Sequence, residues 1–126
     1  MTNDCWNHIT FTAVTEELNS FMENEFNDVP EWALKVKTRG KGGVVLNLWS
    51  RWTPDFEWLE ELVEKYPSAW IKDEWHEEGG NEGVWVGTKR EGFADIRSLE
   101  WQGMCIEEEM HRFKETSQEQ NEQYYT

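Results

Sequence analysis

A chain of 126 residues, 37% apolar and 14% aromatic, is long enough to bury one core without help from a metal or a disulfide. Its 26 acidic against 12 basic residues leave a formal net charge of −14, which argues against direct nucleic-acid binding and against an anionic membrane surface, since both need Lys and Arg. The same charge suits either plain solubility or attraction to a basic partner.

Cys5 and Cys105 form no CxxC pair and no Cys/His cluster, so no zinc site is expected. MTNDCWNHIT has neither a basic region nor an apolar run, and no later segment is apolar enough to span a bilayer. The expectation is a cytoplasmic domain without a signal peptide.

In CWNHITFTA, Cys5, Asn7, Ile9, Phe11 and Ala13 alternate with Trp6, His8, Thr10 and Thr12, which predicts a strand with one buried face. Thr15 is a candidate N-cap for a helix from Glu16 to about Phe26. Glu16 and Glu17 suit its first turn, and Leu18, Phe21, Met22 and Phe26 follow helical spacing. Residues 32–38 alternate Trp32, Leu34, Val36 against Ala33, Lys35, Lys37; RGKGG supplies a turn, and residues 44–50 complete a hairpin. Thr53 and Pro54 predict the start of a second helix running to about Tyr66. Trp58, Leu59, Leu62, Val63 and Tyr66 share its apolar face, and Glu57, Glu60, Glu61 and Glu64 share the opposite one, with Asp55 extending it. Residues 68–77 predict a strand of uncertain register, 77–83 a turn and 84–91 a partner strand. Ser98 is a candidate cap for a last helix carrying Leu99, Ile106, Met110 and Phe113, although Gly103 weakens it.

This order predicts an α+β fold: a ferredoxin-like sandwich, an antiparallel sheet with two helices on one face, plus an extra hairpin strand and a C-terminal helix. One domain is expected over residues 1–115, with a polar, mobile tail over 116–126.

The strand NDCWNHITFTA, the strand-to-helix junction NLWSRWTPDFEWLEELVEKYP and the turn-bearing WIKDEWHEEGGNEGVWVG together resemble the YubB ferredoxin-like family of small conjugative-plasmid and bacteriophage proteins, over roughly residues 3–90. Members often carry a stretch like WGTKW before the junction; the basic KVKTRGKGG stands there in this chain. The resemblance implies the fold and a mobile-element setting. It brings no catalytic residues.

No nucleophile elbow, Walker loop, zincin motif or dinucleotide fingerprint occurs. In DEWHEE, strand geometry would put Glu74, His76 and Glu78 on one face, but no metal-ligand spacing is matched, so a solvated strand is the expected reading. Cys5 and His8 fall on opposite faces, which disfavours a nucleophile–base pair. Trp6, Trp70, Trp75 and Trp85 are candidates for an exposed aromatic sheet surface, although the charge is wrong for RNA. Lys35, Lys37, Arg39 and Lys41 form the one dense basic stretch; it could bind an acidic patch or a phosphate group, and a solubilising hairpin whose lysines protect its edge is the expected reading.

The acidic side is the more informative. Like charges at helical spacing cost a few tenths of a kcal/mol per pair, so Glu57, Glu60, Glu61 and Glu64 are tolerated for solubility or for a basic target. The expectation is a non-enzymatic, cofactor-free interaction protein that inhibits or modulates a host protein with a basic surface, such as a defence or nucleic-acid-processing factor. An acidic surface would partly imitate nucleic acid there. Its candidate contacts are Glu57, Glu60, Glu61 and Glu64, a second cluster of Asp73, Glu74, Glu77 and Glu78, and the aromatic pair Trp49 and Trp52. The alternatives are an aromatic-lined pocket for a small ligand or nucleotide, and an enzyme whose site carries no motif.

Overall fold

The computed structural model describes residues 3–102. In chain order these form β1 (Asp4–Thr12), α1 (Thr15–Asn24), a 3₁₀ turn (Glu31–Ala33), β2 (Leu34–Arg39), β3 (Gly43–Arg51), α2 (Phe56–Lys65), β4 (Trp70–Glu77), β5 (Asn81–Arg90) and β6 (Phe93–Gln102). The strands make one six-stranded sheet in the order β2-β3-β1-β4-β5-β6. Every neighbouring pair is antiparallel.

Alternation along the strands gives the sheet one covered face. Ile9 and Phe11 of β1 stand beside Leu46 and Val44 of β3 and beside Asp73 and Ile71 of β4. These apolar residues, with Trp85 of β5, pack against Leu18 and Phe21 of α1 and Leu59, Leu62 and Val63 of α2. Phe11 stacks on Phe21 with ring centroids 3.9 Å apart, and Tyr66 meets Phe11 edge-on at 5.7 Å. Each such ring contributes roughly 1.5–3 kcal/mol by leaving water. The remaining strand positions form an open face, with no helix packed against it among the described residues.

Two glycines make room for the largest side chains of this core. The Trp75 ring lies across Gly83, its cross-strand partner, where an added Cβ would come within 2.6 Å. The Trp85 ring covers Gly87 in the same way, two positions along its own strand.

Several boundaries differ from the sequence expectation, each for a local reason. Val14, not Thr15, occupies the N-cap of α1, and the Thr15 hydroxyl donates instead to the Lys41 carbonyl at 2.8 Å. The 3₁₀ turn buries Ala33 and turns Trp32 outward, so the strand begins only at Leu34. Asp55 rather than Thr53 caps α2, its carboxylate accepting the Trp58 N–H at 3.1 Å.

The largest correction concerns Ser98 and Leu99, which lie in β6 and not in a helix. Glu91 and Gly92 both take positive φ, at 51° and 83°, in a two-residue hairpin loop that returns the chain along β5. Beyond Gln102, the expected helix through Gly103, Ile106, Met110 and Phe113, and the 116–126 tail, lie outside the described residues.

Candidate partner-binding surfaces

Glu57, Glu60, Glu61 and Glu64 all stand exposed on α2, opposite buried Leu59, Leu62 and Val63. With Lys65 they line one shallow surface. Glu64 meets the Lys89 ammonium at 2.8 Å. Lys65 is drawn away to Glu25 at 2.7 Å. Among the described residues no ion pair neutralises Glu57, Glu60 or Glu61. The negative field of this face therefore projects into solvent.

Glu25 is a structural anchor. Its carboxylate accepts from the Trp58 indole at 3.1 Å, the Lys65 ammonium and the Tyr66 hydroxyl at 2.8 Å. Burial alone would raise its pKa, but these donors outweigh burial and hold it below the usual carboxylate range. Burial and the neighbouring Glu25 push the Tyr66 phenol up.

The corner between β3 and α2 is pinned from three sides. The Trp52 N–H donates to the Asn3 carbonyl at 2.8 Å, and the Thr53 N–H to the Arg51 carbonyl at 2.8 Å, closing a tight turn about Trp52. The Ser50 hydroxyl donates to the Thr53 carbonyl at 2.8 Å. Trp52 is held at φ 70°, in the left-handed region, which costs a non-glycine residue about 1–2 kcal/mol. Its side chain nevertheless remains 50% exposed. Trp49 is different: half-buried, with its indole N–H on Asp4 at 2.8 Å and its ring 4.9 Å from Trp32. Trp49 braces the sheet; Trp52 is presented.

The second acidic cluster divides between two faces. Asp73 and Glu77 point into the covered side and are 1% and 6% exposed, whereas Glu74 points outward. Glu77 accepts from the Asn3 amide at 3.0 Å and from the backbone N–H groups of Gly79 and Asn81 at 2.8 Å each. It ties down the β4–β5 turn, and those backbone donors, Asn81 then Gly79, hold its carboxyl low. Glu74 pairs with Lys72 at 2.8 Å, and Glu78 is exposed in the turn. Neither Asp73 nor Glu77 is available to a partner.

Asp73 carries the more unusual environment. Among the described residues its Oδ1 has no hydrogen-bond partner, nor does Oδ1 of Asn7, whose amide donates to Ser50 at 2.8 Å and to the Leu48 carbonyl at 3.0 Å. Burial first, and then the charge of Glu74, push the Asp73 carboxyl up to about 8. The sequence signal was the alternation Ile71, Asp73, Trp75, which has a single inward reading once β4 is set beside Phe11, Ile9 and Asn7.

Of the strand tryptophans, Trp6 and Trp70 lie on the open face as expected, but Trp75 and Trp85 are buried. Trp101 of β6 joins the exposed set. His8, expected to lack a partner, shares a 2.9 Å hydrogen bond between its Nδ1 and the Asn47 amide oxygen. Cys5 sits on the other side of the sheet, buried, its thiol pushed up to about 11 mainly by that burial, so it is not a nucleophile at neutral pH. No group of His, Cys, Asp or Glu among the described residues is placed to hold a metal ion.

A groove of about 320 Å³ lies between the end of α1, β3 and the start of α2. Phe26, Pro30, Leu48, Trp49 and Trp58 give it apolar walls. Its carboxylates are Glu25, Asp28 and Asp55, two of which are already engaged by Trp58.

Comparison with protein-family models, curated protein sequences and solved structures gives no match. Among the described residues, no helix is long and apolar enough to cross a membrane.

Proposed function

We propose that this chain is a non-enzymatic protein-binding module that engages a basic surface on a host protein and thereby inhibits or modulates it. One observation carries this reading. Trp52 is held exposed in a strained turn immediately before a helix whose outer face carries three glutamates without an ion pair among the described residues. Backbone strain persists where surrounding structure over-determines it, and such positions cluster at functional sites. An aromatic anchor beside a strong negative field is the composition of an electrostatically steered interface.

The strand order β4-β1-β3-β2, read within the larger sheet, supports a ferredoxin-like core extended at one edge by β5 and β6. That core agrees with the likeness to small plasmid and phage proteins, and the chain would then act in the host cytoplasm. A host defence or nucleic-acid-processing factor is the kind of target that an acidic, partly nucleic-acid-like surface would occupy.

The test is affinity capture from host lysate at low and at high salt, comparing the parent chain with Trp52→Ala and with Glu57, Glu60 and Glu61 changed to Lys. A specific partner retained at low salt and lost in both variants is expected. Absence of any specific partner, or a partner indifferent to both variants, sinks the proposal.

A second reading takes the groove beside Trp49 and Trp58 as a small-ligand site, favoured by its apolar walls and concave shape. It requires a molecule to accompany the protein through gentle purification, visible by native mass spectrometry.

A further inference from the structure

The two edges of the sheet are guarded very differently. β2 exposes Lys35, Lys37 and Arg39, and its register with β3 breaks between Val36 and Thr38. Both devices discourage another strand from pairing. β6 has no such break: its pairing with β5 runs regularly from Arg90–Phe93 to Asn81–Gln102. It also exposes Phe93 and Leu99, the former 78% and the latter 65% accessible. Among the described residues no strand pairs with its outer edge. A long, regular edge that exposes large apolar side chains between its charges is a template for a further strand.

We propose that this edge pairs antiparallel with β6 of a second copy, about a twofold axis passing at Ile96. Two constraints select that register. An antiparallel ladder needs outward backbone groups opposite outward ones, so the twofold passes through a residue pair and not between residues. Side-chain complementarity then chooses the pair. With the axis at Ile96, Arg97 of each copy faces Asp95 of the other, Phe93 faces Leu99, and Ala94 faces Ser98. An axis at Asp95 or at Arg97 would set identical charges directly opposite each other, which is destabilising.

The side chains are suited to this use. Asp95 already accepts from Arg97 at 3.3 Å and from Arg90 at 3.1 Å within its own chain. Arg97 is largely exposed and has five N–H donors, so it can reach a second carboxylate. Phe93 and Leu99 fall on the same face of β6, so both cross-copy apolar contacts extend the open face of the sheet. The net charge of −14 per copy opposes association, so the dimer is weak and needs moderate ionic strength.

Sedimentation equilibrium on the full chain, from about 1 μM to about 1 mM at about 0.15 M salt, tests the proposal. A monomer–dimer equilibrium is expected. Arg97→Asp places two carboxylates opposite each other at both symmetric positions and weakens it by at least about tenfold. The double variant Asp95→Arg/Arg97→Asp restores the cross-copy pairs and recovers most of that loss. Far-ultraviolet circular dichroism establishes that each variant keeps its sheet. A chain monomeric throughout, as it would be if residues 103–126 or another protein took this edge, overturns the proposal. So does a dimer indifferent to Arg97→Asp, or a double variant no tighter than the single one.

Discussion

The Trp52 amide hangs on the Asn3 carbonyl, 2.8 Å away, across the corner where β3 leaves the sheet. That bond holds a bulky residue at φ 70°. Glycine adopts this conformation without the penalty. Trp52→Gly and Trp52→Ala both lose the half-buried ring, but only glycine relieves the strain, so Trp52→Gly should be the more stable of the two by about 1 kcal/mol. Urea unfolding measures it. Both variants should lose partner binding, because the anchor is gone. A variant that is both destabilised and fully competent in binding would show that the ring packs and does not recognise.

The glutamate face of α2 makes a separable prediction. Glu57, Glu60 and Glu61 lack ion-pair partners among the described residues, so changing them to Lys removes no structural contact seen there. Each change should move stability by no more than about 0.5 kcal/mol, Glu57 the most because it stands in the first turn of the helix. Association with a basic partner should slow by tenfold or more at low salt, with a much smaller effect near 1 M salt, where the Debye length is about 3 Å. Stopped-flow or surface-plasmon association rates read the difference directly. An effect confined to dissociation rates would place the contact elsewhere.

Much of this architecture was legible in the sequence because simple periodicities dominate it. The inward set Cys5, Asn7, Ile9, Phe11 and the α2 stripe Leu59, Leu62, Val63 follow from period two and period 3.6 alone. What failed has a common physical origin. Leu99 and Ser98 fit a helical spacing continued past Gln102, while Glu91–Gly92 is an unusual hairpin loop because its first residue is neither Asn, Asp nor Gly. The strand was decided by pairing with β5, a tertiary fact. Likewise Asp73 and Glu77 were grouped with Glu74 and Glu78 by proximity in sequence, although alternation sends the first two inward. Trp75 and Trp85, offered with Trp6 and Trp70 as an exposed sheet surface, likewise follow the alternation inward. Trp6, Trp32, Trp52, Trp70 and Trp101 are exposed, and the core rests mainly on Phe, Leu, Ile and Val.

Gly83 gives a test of the packing between β4 and β5. The Trp75 ring occupies the space where a side chain at this position would project. Gly83→Ala should cost about 1–3 kcal/mol, because the ring must leave its rotamer or the strands must part. The backbone gain expected from replacing glycine with alanine, at most about 1 kcal/mol, is smaller. A denaturant midpoint unchanged in Gly83→Ala would mean that Trp75 moves freely, and Phe56, which meets it edge-on at 6.2 Å, would then not be fixing it.

Asp73 makes the fold lose stability as pH rises from the acid range to about 8. Its carboxyl sits near 8 when folded, against an ordinary value of 3.8, so the folded chain holds this proton over a range in which the unfolded chain has released it. Stability from this group is therefore fully present below about pH 4. It falls as pH rises through the window and levels off above about pH 8. The total swing is on the order of a few kcal/mol, since each pKa unit corresponds to about 1.4 kcal/mol. Glu25 and Glu77 act with the opposite sign, as their depressed values cost stability when pH falls through the acid range. The comparison that isolates Asp73 is thus parent against Asp73→Asn, with urea midpoints taken from pH 4 to pH 9. The asparagine variant has no charge to release in this buried position. Its stability relative to the parent should climb steadily with pH and plateau near pH 8. A difference that stays constant across the range would show that Asp73 ionises as readily in the folded chain as in the unfolded one.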